Sequence, residues 1–171
     1  MYNVARAKFE KVSFKQYLKD FNYESHGEKE SIARVCYEEL ELPCRKTKKS
    51  AGYDFSVPYP ILLNPHTEVF IPTGIKCSLD SGFVLKLYPR SSLGFKYRIA
   101  LCNTVGIIDA DYYNNESNEG NIGVKLFNPS DTPVLIPKNQ AFCQGIIEQY
   151  FLAVENEVTR ERTGGVGSTN I

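Results

Sequence analysis

The stretch from Asn103 to Tyr113 concentrates the chemistry of this sequence: an amide, a turn at Gly106, two β-branched residues, then Asp109 and Asp111 beside Tyr112 and Tyr113. It follows the apolar run Ile99–Cys102, which reads as a strand. A strand ending in a tight turn can hold a flat ligand against backbone N–H and C=O groups. A carboxylate just past the turn can act on whatever that ligand carries. Three other segments offer matching parts. Ser50-Ala51-Gly52-Tyr53-Asp54 places one acid after a Gly turn; alone, this is an ordinary turn aspartate. Pro89 to Lys96 offers Arg90, Ser91, Ser92 and an amine, which suits phosphate oxygens and equally a solvated polar loop. Gln144 interrupts the apolar run Gln140–Ile147, where a single Gln is usually edge-facing or satisfied locally.

The end of the chain adds a fifth segment, Arg162-Thr163-Gly164-Gly165-Val166-Gly167-Ser168-Thr169. Its glycines let backbone N–H groups wrap an anion, and Arg162 can bind phosphate through two parallel hydrogen bonds. It is not a P-loop, because the Lys and the following helix are missing. By itself, 155–171 reads as a flexible tail.

Composition narrows the chemistry. Twenty basic and twenty acidic residues cancel, which argues against a generic nucleic-acid binder. His26 and His66 are the whole histidine supply, too few for a multi-His metal site and a poor start for a His-based triad. The five cysteines form no C-x-x-C pair and read as reduced, partly buried thiols. Neither a leader-like apolar segment nor a membrane-length run is visible, so the sequence reads as a soluble cytoplasmic protein.

The elements that position these segments are mostly strands. From Ser50 onward, short β-rich runs are cut by Pro, Gly, Asn and Asp every eight to twelve residues or so. The predicted strands are 53–57, 60–63, 67–71, 74–79, 83–88, 98–102, 107–109, 122–127, 133–136 and 141–151. Turns are predicted at Asn64-Pro65-His66 and Leu79-Asp80-Ser81-Gly82. The fold class is mainly β, a small closed or nearly closed sheet. Val4–Val12 reads as a first strand. Ser13 and Gln16 have capping-box spacing, and the apolar period predicts an amphipathic helix over 14–21. Residues 22–31 read as a loop and 32–40 as a second helix. Arg45, Lys46, Lys48 and Lys49 read as a solvated basic loop. Residues 1–154 are expected to form one domain, and 155–171 an arm.

The five segments resemble, in order, the motifs of the homotrimeric dUTPase (dUTP diphosphatase) family: AGYD at 51–54, PRSSLG at 89–94, NTVGIIDADYY at 103–113, the run ending in Gln144, and RTGGVGST at 162–169. Residues 111–120 resemble a branch found in low-GC Gram-positive bacteria and their phages. The resemblance implies a jelly-roll-like β fold, a homotrimer with sites at subunit interfaces, and Mg²⁺-dependent cleavage of dUTP to dUMP and pyrophosphate. It implies that Asp109 aims a water at the α-phosphate and that the ring of Tyr112 packs under the deoxyribose, shutting out a 2′-hydroxyl. Asn103 and the backbone around Gly106 would read uracil. Arg90, Ser91, Ser92 and Gln144 would meet phosphate, with Arg90 also paired to Asp54, which supports the metal shell. Arg162, Gly164, Gly165, Gly167 and Ser168 would close over a neighbouring site. Mg²⁺ would be held mainly by the substrate's phosphates and water.

The chain departs from the family pattern in five places. Val166 stands where the arm usually has a stacking Phe, Asn170 where Gly is frequent, and Ala141 where Arg is common. An insert at 114–120 lengthens the third motif, and residues 1–49 match the family only loosely. Alternatives that share the fold are dCTP deaminase and a catalytic protein with an added repressor-type protein partner.

Overall fold

The computed structural model describes residues 7–23, 27–154 and 164. The chain runs β1 (Ala7–Lys11), α1 (Phe14–Asp20), α2 (Lys29–Glu38), β2 (Tyr53–Ser56), β3 (Ile61–Leu63), β4 (Glu68–Pro72), β5 (Ile75–Leu79) and β6 (Phe83–Pro89). It continues through α3 (Ser91–Tyr97), β7 (Ala100–Leu101), β8 (Gly106–Ile108), a 3-10 turn (Ala110–Tyr112), β9 (Gly123–Phe127), β10 (Val134–Ile136) and β11 (Ala141–Gln149). One sheet has the order β2-β11-β6-β8 and another β4-β9-β7. The ribbons β1-β5 and β10-β3 complete a mainly β, jelly-roll-like arrangement, with every pairing antiparallel.

Alternation explains which faces turn inward. In β9, Val124 and Leu126 are buried while Lys125 is exposed, and β3 and β10 show the same in-out-in pattern. Residues of both larger sheets, among them Phe55, Leu85, Leu87, Val124, Leu126 and Phe142, meet in one core. The β5–β6 turn closes through the N–H of Phe83, which donates to Asp80 O at 3.2 Å. Gly82 there has φ +85°, a conformation that glycine adopts without strain.

The predicted strands match the observed ones to within one or two residues at each end, and 98–102 is the one most shortened. There Arg98 is left-handed (φ 58°) and only Ala100–Leu101 is extended. Arg98 caps α3, its N–H bonding to Leu93 O and Gly94 O. The predicted polar loop at 89–96 is thus a short helix anchored by buried Leu93. Of the predicted first strand, Ala7–Lys11 is extended, and residues 4–6 lie outside the described residues. The second helix starts at Lys29 instead of 32, shortening the predicted loop. Its buried positions are Ala33 and Cys36, followed by Leu40, so Val35 faces solvent.

Helix α1 matches its predicted period and buries Tyr17. The Ser13 hydroxyl accepts from Gln16 N at 3.1 Å, which is half of the predicted capping box. The other half comes from elsewhere. Gln16 bonds to Asp20, and the Ser13 N–H donates instead to Glu119, 2.8 Å away, in the loop after Tyr112.

Candidate active site

The site residues fall into two clusters. The first gathers Asp54, Arg90 and Gln144. Strand β11 lies between β2 and β6, so Gln144 is on a central strand and not at an edge; it is paired to Asp54 on one side and to Tyr88 on the other. Gly52 makes room for it: a Cβ there would lie 2.4 Å from Gln144 Oε1. A bulge in β11 between Ala141 and Cys143 breaks the ladder. Phe142 O is left to accept the Arg90 N–H at 3.1 Å. Arg90 Nη1 then donates to Asp54 Oδ1 at 2.8 Å, with the carboxylate only 4% exposed. Asp54 Oδ2 and Arg90 Nε are buried without a hydrogen-bond partner. Ser91 and Ser92 follow, both exposed, beside an open groove of about 450 Å³ lined by Tyr88, Arg90 and Phe95. Beneath Asp54, burial pushes the Cys143 thiol up, and the nearby carboxylate pushes it further.

The second cluster carries Asn103, Gly106, Asp109 and Tyr112. The turn lies earlier than expected. Thr104, at φ 60°, makes it, with Thr104 N donating to Leu101 O at 3.0 Å. Gly106 already belongs to β8, where a Cβ would come within 3.1 Å of Leu87 Cβ. Asn103 and Gly106 line a cavity of about 440 Å³ together with Phe70, Leu101, Val124 and Lys125. Phe70 was not legible as a site residue. Its ring stays half-exposed and covers Gly123, which has no side chain to obstruct it. Cys102 also lines the cavity; desolvation and then Glu68 push its thiol up, which disfavours a thiolate nucleophile. Asp109 is exposed at the start of the 3-10 turn, and its C=O accepts the Tyr112 N–H at 3.1 Å. Tyr112 is 6% exposed, and its hydroxyl donates to Asn121 O at 3.1 Å.

Strand β6 separates the clusters. Ile108 faces Leu85, while Arg90 lies five residues further on, just past the end of β6, and Asp109 one residue beyond in the opposite sense. Six residues of strand span roughly 20 Å. One chain therefore does not bring Asp109 to Arg90. Among the described residues no group of three His, Cys, Asp or Glu is placed to hold a metal. None of the described helices is long and apolar enough to cross a membrane. Of the arm, Gly164 is described, as a partly exposed bend. Arg162, Gly165, Val166, Gly167, Ser168 and Asn170 lie outside the described residues.

Comparison with known proteins bears on both clusters. The chain is 41% identical over 132 residues to a deoxyuridine 5'-triphosphate nucleotidohydrolase of Lactococcus lactis, covering 76% of this chain and 88% of that one. It is 35% identical over 140 residues to a protein of the same name from a Wolbachia of Brugia malayi (77% and 86% covered). Among solved structures it superposes on a dUTPase from Streptococcus mutans with a TM-score of 0.66 and 33% identity, over 85% of this chain and 97% of that one. A dUTPase of Staphylococcus bacteriophage 80alpha shares the fold at 22% identity and a TM-score of 0.58, over 71% and 90% of the two chains. Residues 38–170 match the family described as dUTPase. That match takes in every residue of both clusters, and the chain belongs to the dUTPase family.

Proposed function

We propose that this chain hydrolyses dUTP to dUMP and pyrophosphate in sites shared between the copies of a homotrimer. The observation that carries the reading is the split across β6: each cluster holds half of a nucleotide site, and the halves stand roughly 20 Å apart in one chain. In a closed ring of copies, one chain's Arg90 end can meet the next chain's Asp109 end.

Each half has a task. The Asn103 amide and the backbone of the turn offer fixed donors and acceptors to uracil, and cytosine's exocyclic amine would reverse one of those bonds. The Tyr112 ring, facing the sugar, leaves no room for a 2′-hydroxyl. Arg90, Ser91, Ser92 and Gln144 hold phosphate oxygens, and Arg162 with the glycines and Ser168 closes over them. Asp109 orients a water and takes its proton. The water oxygen bonds to the α-phosphorus and stays on dUMP; the bond from that phosphorus to the α–β bridging oxygen breaks, and pyrophosphate departs with the bridging oxygen. Asp54 is engaged by Arg90, so the donor set fits Mg²⁺ carried on the triphosphate and water instead of in a protein cage. Bound there, the ion offsets the phosphate charge. Five unbridged cysteines suit a cytoplasmic setting.

A nucleotide panel of dUTP, UTP, dTTP and dCTP, with and without Mg²⁺, tests the activity. Pyrophosphate from dUTP alone is expected; ammonia from dCTP would replace the reading with a deaminase. Mixed copies test the sharing. Co-expressing Asp109→Asn with the double variant Asp54→Asn/Arg90→Gln should restore activity in about a quarter of sites, because each site draws on two chains. No recovery would place the whole site within one chain and refute the shared arrangement.

A further inference from the structure

The insert at 114–120 and the N-terminal helix are the two features left without a task, and the structure joins them. The Asn118 side chain makes four hydrogen bonds. Its Nδ2 donates to the Tyr112 hydroxyl at 2.9 Å and to Asn121 O at 3.1 Å. Its Oδ1 accepts from Asn115 Nδ2 at 2.7 Å and from Gly120 N at 3.1 Å. That fills the capacity of one amide, and the Gly120 N–H, which can only donate, fixes which way the amide faces. Asn115 reaches the other end of the same tyrosine, donating to Tyr112 O at 2.9 Å. Asn121, 3% exposed, takes the Gly74 N–H on Oδ1 and donates from Nδ2 to Asp20 of α1 at 2.7 Å. Helix α1 grips the loop twice more, through Ser13 to Glu119 and through Lys19 to Ser117 O.

Tyr112 is therefore held at its backbone and at its hydroxyl by one amide cage, and the cage is bolted to α1. A tyrosine serving only as core filler would need its hydroxyl satisfied once. Here the Asn118 side chain and the Asn121 main-chain carbonyl converge on that hydroxyl, and a helix far away in sequence backs them through the Asn121 amide. We infer that Asn118 and Asn121, with Asp20 behind them, are positioning residues that fix the Tyr112 ring and so set discrimination against the 2′-hydroxyl. This rests on the proposed function, in which that ring faces the sugar.

The test compares kcat/KM for dUTP and UTP in the full chain. Asn118→Leu, which keeps the size and removes the amide, should lower the dUTP/UTP preference about tenfold, with KM for dUTP rising and its kcat changing little. Asp20→Ala should move the preference the same way by about threefold. Tyr112→Phe combined with Asn118→Leu should be no worse than the larger single change, because both remove the same bond. If Asn118→Leu does not fold, Asp20→Ala, on a half-exposed side chain, reads the same path. Variants that lose melting temperature but keep the wild-type preference would overturn the role and leave the cage purely structural. A wild-type chain that ignores dUTP overturns the proposed function itself, and this role with it. A discriminating wild type with indifferent variants overturns this role alone.

Discussion

The Arg90 cluster and the Asp109 cluster are held in place by different means. Around Arg90 the backbone does the positioning: a central strand, a bulge and a ladder set Gln144, Asp54 and Arg90 before any side chain bonds. Around Tyr112 the loop does it: the Asn115 and Asn118 side chains and the Asn121 carbonyl stand in for a ladder the 3-10 turn cannot form. A phosphate grip gains from a rigid sheet, whereas a sugar-reading ring needs fine adjustment, which amides within a loop supply. The contrast predicts that damage to the first cluster costs folding stability as well as activity, and that damage to the second falls mainly on rate or selectivity.

The sharpest break in that contrast is at the carboxylate. Asp109→Asn should cost at least about 10³-fold in kcat, read by pyrophosphate release. In the first cluster, Arg90→Gln strands a nearly buried carboxylate. The expected cost is about 2–3 kcal/mol, less than for a fully buried pair because Arg90 is about a third exposed. Asp54→Asn added to it should recover much of that loss, as denaturant titration would show. A smaller effect is expected at Gly120, which has φ +79° and whose added Cβ would lie 2.7 Å from Tyr112 O. Gly120→Ala should cost about 1–2 kcal/mol in unfolding free energy and raise KM for dUTP more than it lowers kcat.

The smallest effect is a pH response. The Ser13 hydroxyl, and then its N–H, hold the Glu119 carboxyl below its ordinary 4.5. The bond's contribution is therefore complete above about pH 4.5 and fades as pH falls through the lower folded value. Melting temperature of the wild type should fall more steeply than that of Glu119→Gln below that pH. Parallel curves would mean that the α1 clamp carries no charge-dependent strength.

The sheet was legible because in-out alternation and turn residues are local signals. Ser13 and Gln16 marked the start of α1 for the same reason. Helix α3 was not legible: Pro89, Ser91, Ser92 and Gly94 spell a loop, and burial of Leu93 with the left-handed Arg98 overrides them. In the site, the residue types in each segment pointed to phosphate and sugar contacts, yet the turn was placed at Gly106 when Thr104 makes it. Gly106 is small because Leu87 crowds it, and only the ladder reveals that neighbour. The bond from Ser13 to Glu119 spans 106 positions, and no local pattern announces such a link.

Strand β6 is only seven residues long, yet under the shared arrangement its two ends would serve different catalytic centres. A chain faulty at both ends would disable about two of the three centres in its ring. A minority of defective copies would then silence most of the enzyme, and such lesions would behave as dominant.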